Sequence, residues 1–159
     1  LSDTYANPLE RYWDDDCLEI CIDADASGGD HLNNYNAFAY HLALDNQVVD
    51  IGPNEAGEAV PQLYNDHVEN KWQRDILAPH KIHWEAAVRV FDDSYQHGKD
   101  NSPVTLKEGM TLGFMLAYCD ADGGDREHFL GSHEITPVNG DKNLGYKHAS
   151  VFGKVTLTK

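Results

Sequence analysis

Residues 17–30 read CLEICIDADASGGD, and residues 111–125 read TLGFMLAYCDADGGD. Each is a run of β-forming residues closed by an acidic, glycine-rich segment, and the period inside each run decides the fold class. In the first, Leu18, Ile20 and Ile22 alternate with Cys17, Glu19 and Cys21. In the second, Leu112, Phe114, Leu116 and Tyr118 alternate with Gly113, Met115, Ala117 and Cys119. A period of two belongs to a pleated strand, because successive side chains leave the backbone on opposite faces. The first run reads as a half-buried strand. Asp caps nearby backbone and Gly tolerates positive φ, so the closing segments reverse the chain.

The same period recurs on either side of these two runs. NAFAYHLALDNQVVDI at 36–51 reads as two strands around the turn Asp45-Asn46. In KIHWEAAVRVF at 81–91, Ile82, Trp84, Ala86, Val88 and Val90 share one face, which predicts a strand with Trp84 in the core. SVFGKVTLTK at 150–159 alternates through Val151, Gly153, Val155 and Leu157 and reads as a closing strand. Residues 52–79 are polar, carry Gly and Pro and keep no period, which predicts a long surface excursion with a short helix, in which Trp72 can face either way. Residues 92–108 read as loop. Short strands parted by Gly/Asp/Asn/Pro turns, with no 3.6-residue period, predict an all-β antiparallel sandwich over a single domain, 1–159.

With 27 acidic against 12 basic residues, the net charge of −15 is spread along the chain. A phosphate backbone or an anionic bilayer would meet a surface of its own sign, so the expected partners are neutral ligands and divalent cations, with no nucleic acid and no membrane. No apolar run approaches the roughly 20 residues of a membrane span. Cys17 and Cys21 lie about 13 Å apart along one strand at 3.3 Å per residue, too far to bridge each other; either can meet Cys119, but that leaves one over, and with no Cys-x-x-Cys or Cys/His metal spacing the expectation is small buried thiols. No GxSxG, HExxH or P-loop occurs, and nothing in the sequence pairs the carboxylates into an acid and a nucleophile. The expectation is a non-catalytic protein.

Four segments taken together, WDDDCLEICIDAD (13–25), WEAAVRVF (84–91), GMTLGFMLAYCDADGGDRE (109–127) and NLGYKHASVFGKVTL (143–157), resemble the family 9 carbohydrate-binding modules. These belong among the DOMON-like, jelly-roll-type β-sandwiches. Trp13, Glu19 and Asp23 stand in the family's Trp and E-x-x-x-D places; Gly109, Gly113 and Phe114 match its G-x-x-x-G-F strand, and Phe152, Gly153 and Leu157 its closing strand. The resemblance implies a saccharide ligand, structural calcium, a secreted or periplasmic bacterial protein and an appended catalytic domain. Tyr146, in Asn143-Leu144-Gly145-Tyr146, replaces the family's second tryptophan, and His41 stands nearest to its arginine. The family's strands upstream of the tryptophan have no counterpart before Trp13, so the domain reads as N-terminally incomplete, with an unpaired sheet edge.

A pyranose ring asks for an aromatic plate under its C–H face and planar polar groups around its rim. Trp13, Glu19, His41, Asn143 and Tyr146 form the candidate set, with Glu19 outward or groove-facing by alternation. Trp13 is otherwise a rim residue covering the core edge. Asp23, Asp25 and Asp30 in the first turn, and Asp120, Asp122 and Asp125 in the second, supply the oxygen ligands that calcium prefers, or else are solvated turns. Two alternatives remain: a calcium-stabilised interaction domain without sugar binding, and a haem-carrying domain that would use Met110 or Met115 with a histidine, since Met115 shares a face with Gly113 and Ala117.

Overall fold

A computed structural model describes residues 1–159. Nine strands form two layers: β1 Cys17–Asp23, β2 Phe38–Ala43, β3 Val48–Pro53, β4 Ala59–Leu63, β5 Val68–Arg74, β6 Ile82–Val88, β7 Thr111–Asp120, β8 His128–Gly131 and β9 Gly153–Thr156. The large antiparallel sheet runs β4-β3-β2-β1-β7, and the far edge of β7 is shared by β8 and β9. The second layer is a ribbon of β5 and β6 alone. The sandwich expected from the alternation is present, with a second layer of only two strands.

β1 is central, and its register against its neighbours builds both faces. Leu18, Ile20 and Ile22 oppose Leu42, Tyr40 and Phe38 on β2, and this face packs with Val68, Val90, Phe91 and Tyr95 as the main core between the layers. The opposite face is also buried, which corrects the half-buried reading. Cys21, Ala39 and Met115 lie in one row across β2, β1 and β7, beneath Ile135, Leu144, Ala149 and Phe152. That cover comes from residues 132–152, coil that ends in a 3₁₀ turn at Ala149–Val151, and before residue 150 it keeps no period to announce it. Met115 is completely buried under this cover, so the part of the face beside it leaves no open plane for a flat cofactor.

Two further expectations are corrected. The excursion at 52–79 contains β4 and β5 and no helix. β4 carries Pro61 at a sheet edge, where a missing N–H costs least, and β5 places the polar Asn70 at a buried position, so neither looks like a strand in sequence. Trp84 packs against the main core as expected but is only half-buried, its Nε1–H donating to Asn70 Oδ1 at 3.1 Å, while Ile82 and Ala86 on the same face are exposed. Trp72 pairs across from Trp84 and donates its Nε1–H to the Leu44 carbonyl at 2.7 Å. All three cysteines are free and buried, Cys17 directly opposite Cys119. No helix is long and apolar enough to cross a membrane.

Candidate functional site

The run Asp14-Asp15-Asp16 folds the N-terminal segment over the large sheet. All three carboxylates are buried, and each is used. Asp14 accepts from Arg126 N at 2.9 Å and from Arg11 Nε at 2.9 Å; Asp15 accepts from Thr4 N at 2.6 Å and Tyr5 N at 3.1 Å; Asp16 accepts from Ser2 N and from Tyr118 OH at 3.1 Å. These bonds fix a 3₁₀ turn, Tyr12–Asp14, that presents Trp13 at 37% exposure. Tyr12 is buried beneath it, its ring edge-on to Trp13 at 5.0 Å and to His41 at 4.7 Å.

Glu19 is the centre of the floor. It opposes His41 on β2, and its Oε1 lies 2.8 Å from His41 Nε2 and accepts from Cys119 Sγ at 3.1 Å. Arg126 stands alongside, Nη1 at 3.8 Å from Glu19 Oε1 and 3.4 Å from Cys119 Sγ. His41 Nδ1 is 3.0 Å from the Ala39 carbonyl, which can only accept, so Nδ1 carries a proton. Nε2 then faces a carboxylate and holds a second one. Burial alone would push this imidazole down, but the Glu19 carboxylate outweighs it and raises His41 to about 9. In the same way burial pushes the Glu19 carboxyl up, and the His41 charge and the His41 and Cys119 hydrogen bonds pull it below its ordinary value. Glu19 is thus 97% buried yet ionised, and it faces a pocket instead of open solvent.

Glu19, His41 and Cys119 are the one set of three potential metal-ligand side chains with donor atoms within 4.8 Å of one another. Nitrogen and oxygen ligands of a tetrahedral zinc stand about 3.3 Å apart, given bonds of about 2.0–2.1 Å. The 2.8 Å between His41 and Glu19 is a charged hydrogen bond instead.

A pocket of about 410 Å³ opens over this floor, lined by Tyr12, Trp13, Asp14, Glu19, His41, Ile51, Arg126, Asn143 and Tyr146. All five residues proposed from sequence for sugar contact therefore meet in one cavity, although they come from four places in the chain. Arg126 was missed. It follows the second acidic turn directly, and a lone arginine there is the one sequence signal that the buried acids need a counter-charge. Among the charged lining residues, Asp14 and Glu19 balance His41 and Arg126, so the cavity carries no excess of either sign.

The two acidic turns do not form one site. Asp23 opposes Gly113 at one end of β1, while Cys17 opposes Cys119, beside Asp120, at the other, about 20 Å away at 3.3 Å per residue. In the first turn, the buried Asp23 accepts from Asp25 N at 3.2 Å and Gly28 N at 2.7 Å, Asp25 accepts from Ser27 N at 2.9 Å, and the half-buried Asp30 accepts from Leu32 N at 3.3 Å. In the second, Asp120 is half-buried, Asp122 is exposed, and Asp125 pairs with Arg11.

Comparison with known proteins agrees with this architecture. Two solved structures similar to this chain are family 9 carbohydrate-binding modules from Caldicellulosiruptor kristjanssonii. The one in complex with cellotriose superposes with TM-score 0.62 at 13% identity, over 98% of this chain and 62% of that one. The one in complex with glucose superposes with TM-score 0.60 at 14% identity, over 99% of this chain and 64% of that one. The chain thus spans less than two thirds of the length of either. No curated protein sequence matches it. The family model described as "Carbohydrate family 9 binding domain-like" matches residues 1–159. The chain therefore belongs to the family 9 carbohydrate-binding domains.

Proposed function

We propose that the pocket holds a neutral mono- or oligosaccharide, without catalysis, with Trp13 and Tyr146 stacking on a sugar ring and Glu19, His41, Arg126 and Asn143 binding its hydroxyls. The observation that carries this reading is the cavity's composition: aromatic walls around a floor of charged hydrogen-bonding groups whose charges cancel. Neutral polyols fit such a floor, and the cellotriose and glucose complexes of the related modules support the ligand class. The non-catalytic reading is supported by Asp14, whose two oxygens are committed to Arg126 N and Arg11 Nε, leaving Glu19 as the only carboxylate lining the pocket that can serve a ligand. In this reading the domain is carried by a secreted or periplasmic bacterial protein and holds an attached catalytic domain against its polysaccharide.

Calorimetric titration with glucose, cellobiose, xylobiose and galactose-type oligosaccharides tests the proposal, and a flat trace across the panel would sink it. Trp13→Ala is expected to weaken binding by about 1–3 kcal/mol through loss of the stacked face, with little change in stability. Trp84→Ala, on the other layer, is expected to leave affinity alone and to lower stability by about 3 kcal/mol.

Calcium on the first acidic turn is the second part of the proposal. Its donors are all oxygen, as this cation requires, and Asp23 is buried with the Asp25 carboxyl against it, which together raise the Asp23 pKa. A cation would relieve that crowding. Calcium at about a thousand times its Kd should then stabilise the fold by about 4 kcal/mol, several degrees in Tm. Asp23→Asn with Asp25→Asn should abolish the shift, and Asp120→Asn with Asp122→Asn should not. A melting curve unmoved by chelator would leave Asp23 as a turn cap only.

A further inference from the structure

Asn143 and Tyr146 line the pocket from coil, with no strand partner to fix them. What holds their segment comes from more than a hundred residues earlier, out of the first acidic turn. Ala149 N donates to Gly29 O at 2.8 Å, Gly29 N to Ser150 Oγ at 2.8 Å, and His31 N to Lys147 O at 3.0 Å, while Asp30 and His148 form a β-bridge. Inside this seam the completely buried imidazole of His31 places Nε2 2.8 Å from the Gly145 carbonyl. A carbonyl only accepts, so Nε2 carries the hydrogen. Nδ1 has no partner. Burial, opposed only by the Gly145 carbonyl and Asp30, pushes His31 down to about 4, so the ring is neutral when it donates. Gly145 is confined from the other side as well: a Cβ there would sit 2.9 Å from Met115 Cε.

We propose that His31 is the positioning residue of the ligand wall: its Nε2–H bond to Gly145 sets where Asn143 and Tyr146 stand over the pocket. Saccharide affinity then depends on a side chain that does not line the cavity, and the DADASGGD turn serves the site by presenting Gly28–His31 to the 145–150 segment. This rests on the saccharide reading only for its affinity readout.

The test compares His31→Phe, which keeps a ring against Phe152 but cannot donate, with His31→Gln, which restores an N–H. Titration with glucose or cellobiose should show affinity lower by roughly tenfold in His31→Phe and restored to within about threefold of the parent in His31→Gln. In the ligand-free protein, amide exchange over residues 144–148 should accelerate in His31→Phe and return toward the parent rate in His31→Gln. Parental affinity and exchange in His31→Phe would overturn the proposal, as would a His31→Gln variant no better than His31→Phe, since the ring would then only fill space. If the parent binds no saccharide, the saccharide reading falls, and the exchange comparison still decides the role of His31. Should His31→Phe fail to fold, Gly28→Ala strains the same seam from its exposed side, because φ there is +73° and the new Cβ would lie 2.8 Å from Ser150 Oγ. It should lower affinity by a similar factor, and parental affinity in that variant would count against the proposal.

Discussion

Glu19→Ala is expected to lower stability by about 3–5 kcal/mol and to abolish saccharide binding. The carboxylate is the shared acceptor of the floor, bonded to His41 Nε2 at 2.8 Å and Cys119 Sγ at 3.1 Å, with Arg126 Nη1 at 3.8 Å. Its removal leaves two cationic groups side by side with little water to replace it. His41 would answer by giving up a proton, which limits the loss but also removes a charged donor from the pocket. Glu19→Gln, which keeps the shape and an acceptor but not the charge, should fall between the parent and Glu19→Ala. Urea unfolding measures the first effect and calorimetry the second. An alanine variant with the parent's midpoint would mean that the floor is not an ion pair at all.

Stability should pass through a maximum near pH 6.5 and fall on the alkaline side by an amount on the order of 3 kcal/mol. The sign follows from which state binds more protons. His41 is raised from 6.5 to about 9, so its contribution is fully present below pH 6.5 and is lost as pH rises toward 9. Asp50, buried and raised to about 7 despite amide bonds from Ala39 and Ile51, holds a proton that the unfolded chain gives up above 3.8. It therefore costs stability as pH rises from about 4 to 7. His31 and His67 act the other way. Burial depresses both to about 4, so the unfolded chain binds more protons between pH 4 and 6.5, and stability climbs across that window. Two rising contributions against one falling set the acid limb, and Glu19, held below its ordinary value, adds a loss below 4.5. The alkaline limb belongs to His41, so it should flatten in Glu19→Ala. A parent curve level from pH 6.5 to 9 would contradict the charged pair.

Alternation was legible in β1, β2, β3, β6, β7 and β9, most plainly where a strand packs an apolar face on the core, as β1 and β2 do, while in β6 and β9 the period survives although most of their residues are exposed. β8 escaped because its residues His128–Gly131 are too few to show a period. β4 and β5 escaped through Pro61 and Asn70, residues that edge pairing and two side-chain hydrogen bonds make tolerable. The pocket was legible as a list of side chains but not as a network. Trp13, Glu19, His41, Asn143 and Tyr146 follow from the family resemblance, whereas Cys119 joins them through the β1–β7 register and Arg126 through the β7–β8 connection that folds back toward Glu19, both non-local facts. Nothing in the sequence marks the three aspartates 14–16 as buried, and they are buried because backbone amides and hydroxyls of distant segments converge on them.

The pocket and the β5–β6 ribbon lie on opposite faces of the large sheet, since Glu19 and Cys21 point one way from β1 and Ile20 and Ile22 the other. The ribbon is tied to the rest by few side-chain bonds, among them Trp72 to Leu44 O and Asn70 to Asn46 O, and Ile76 and Leu77 at its tip are 91% and 80% exposed. Its connecting segment, residues 75–81, supports nothing beneath it. Extra chain inserted there would meet solvent on one side and a layer without ligand contacts on the other. The fold thus offers a point at which a reporter, a tag or a second binding domain can be grafted while the pocket keeps its shape.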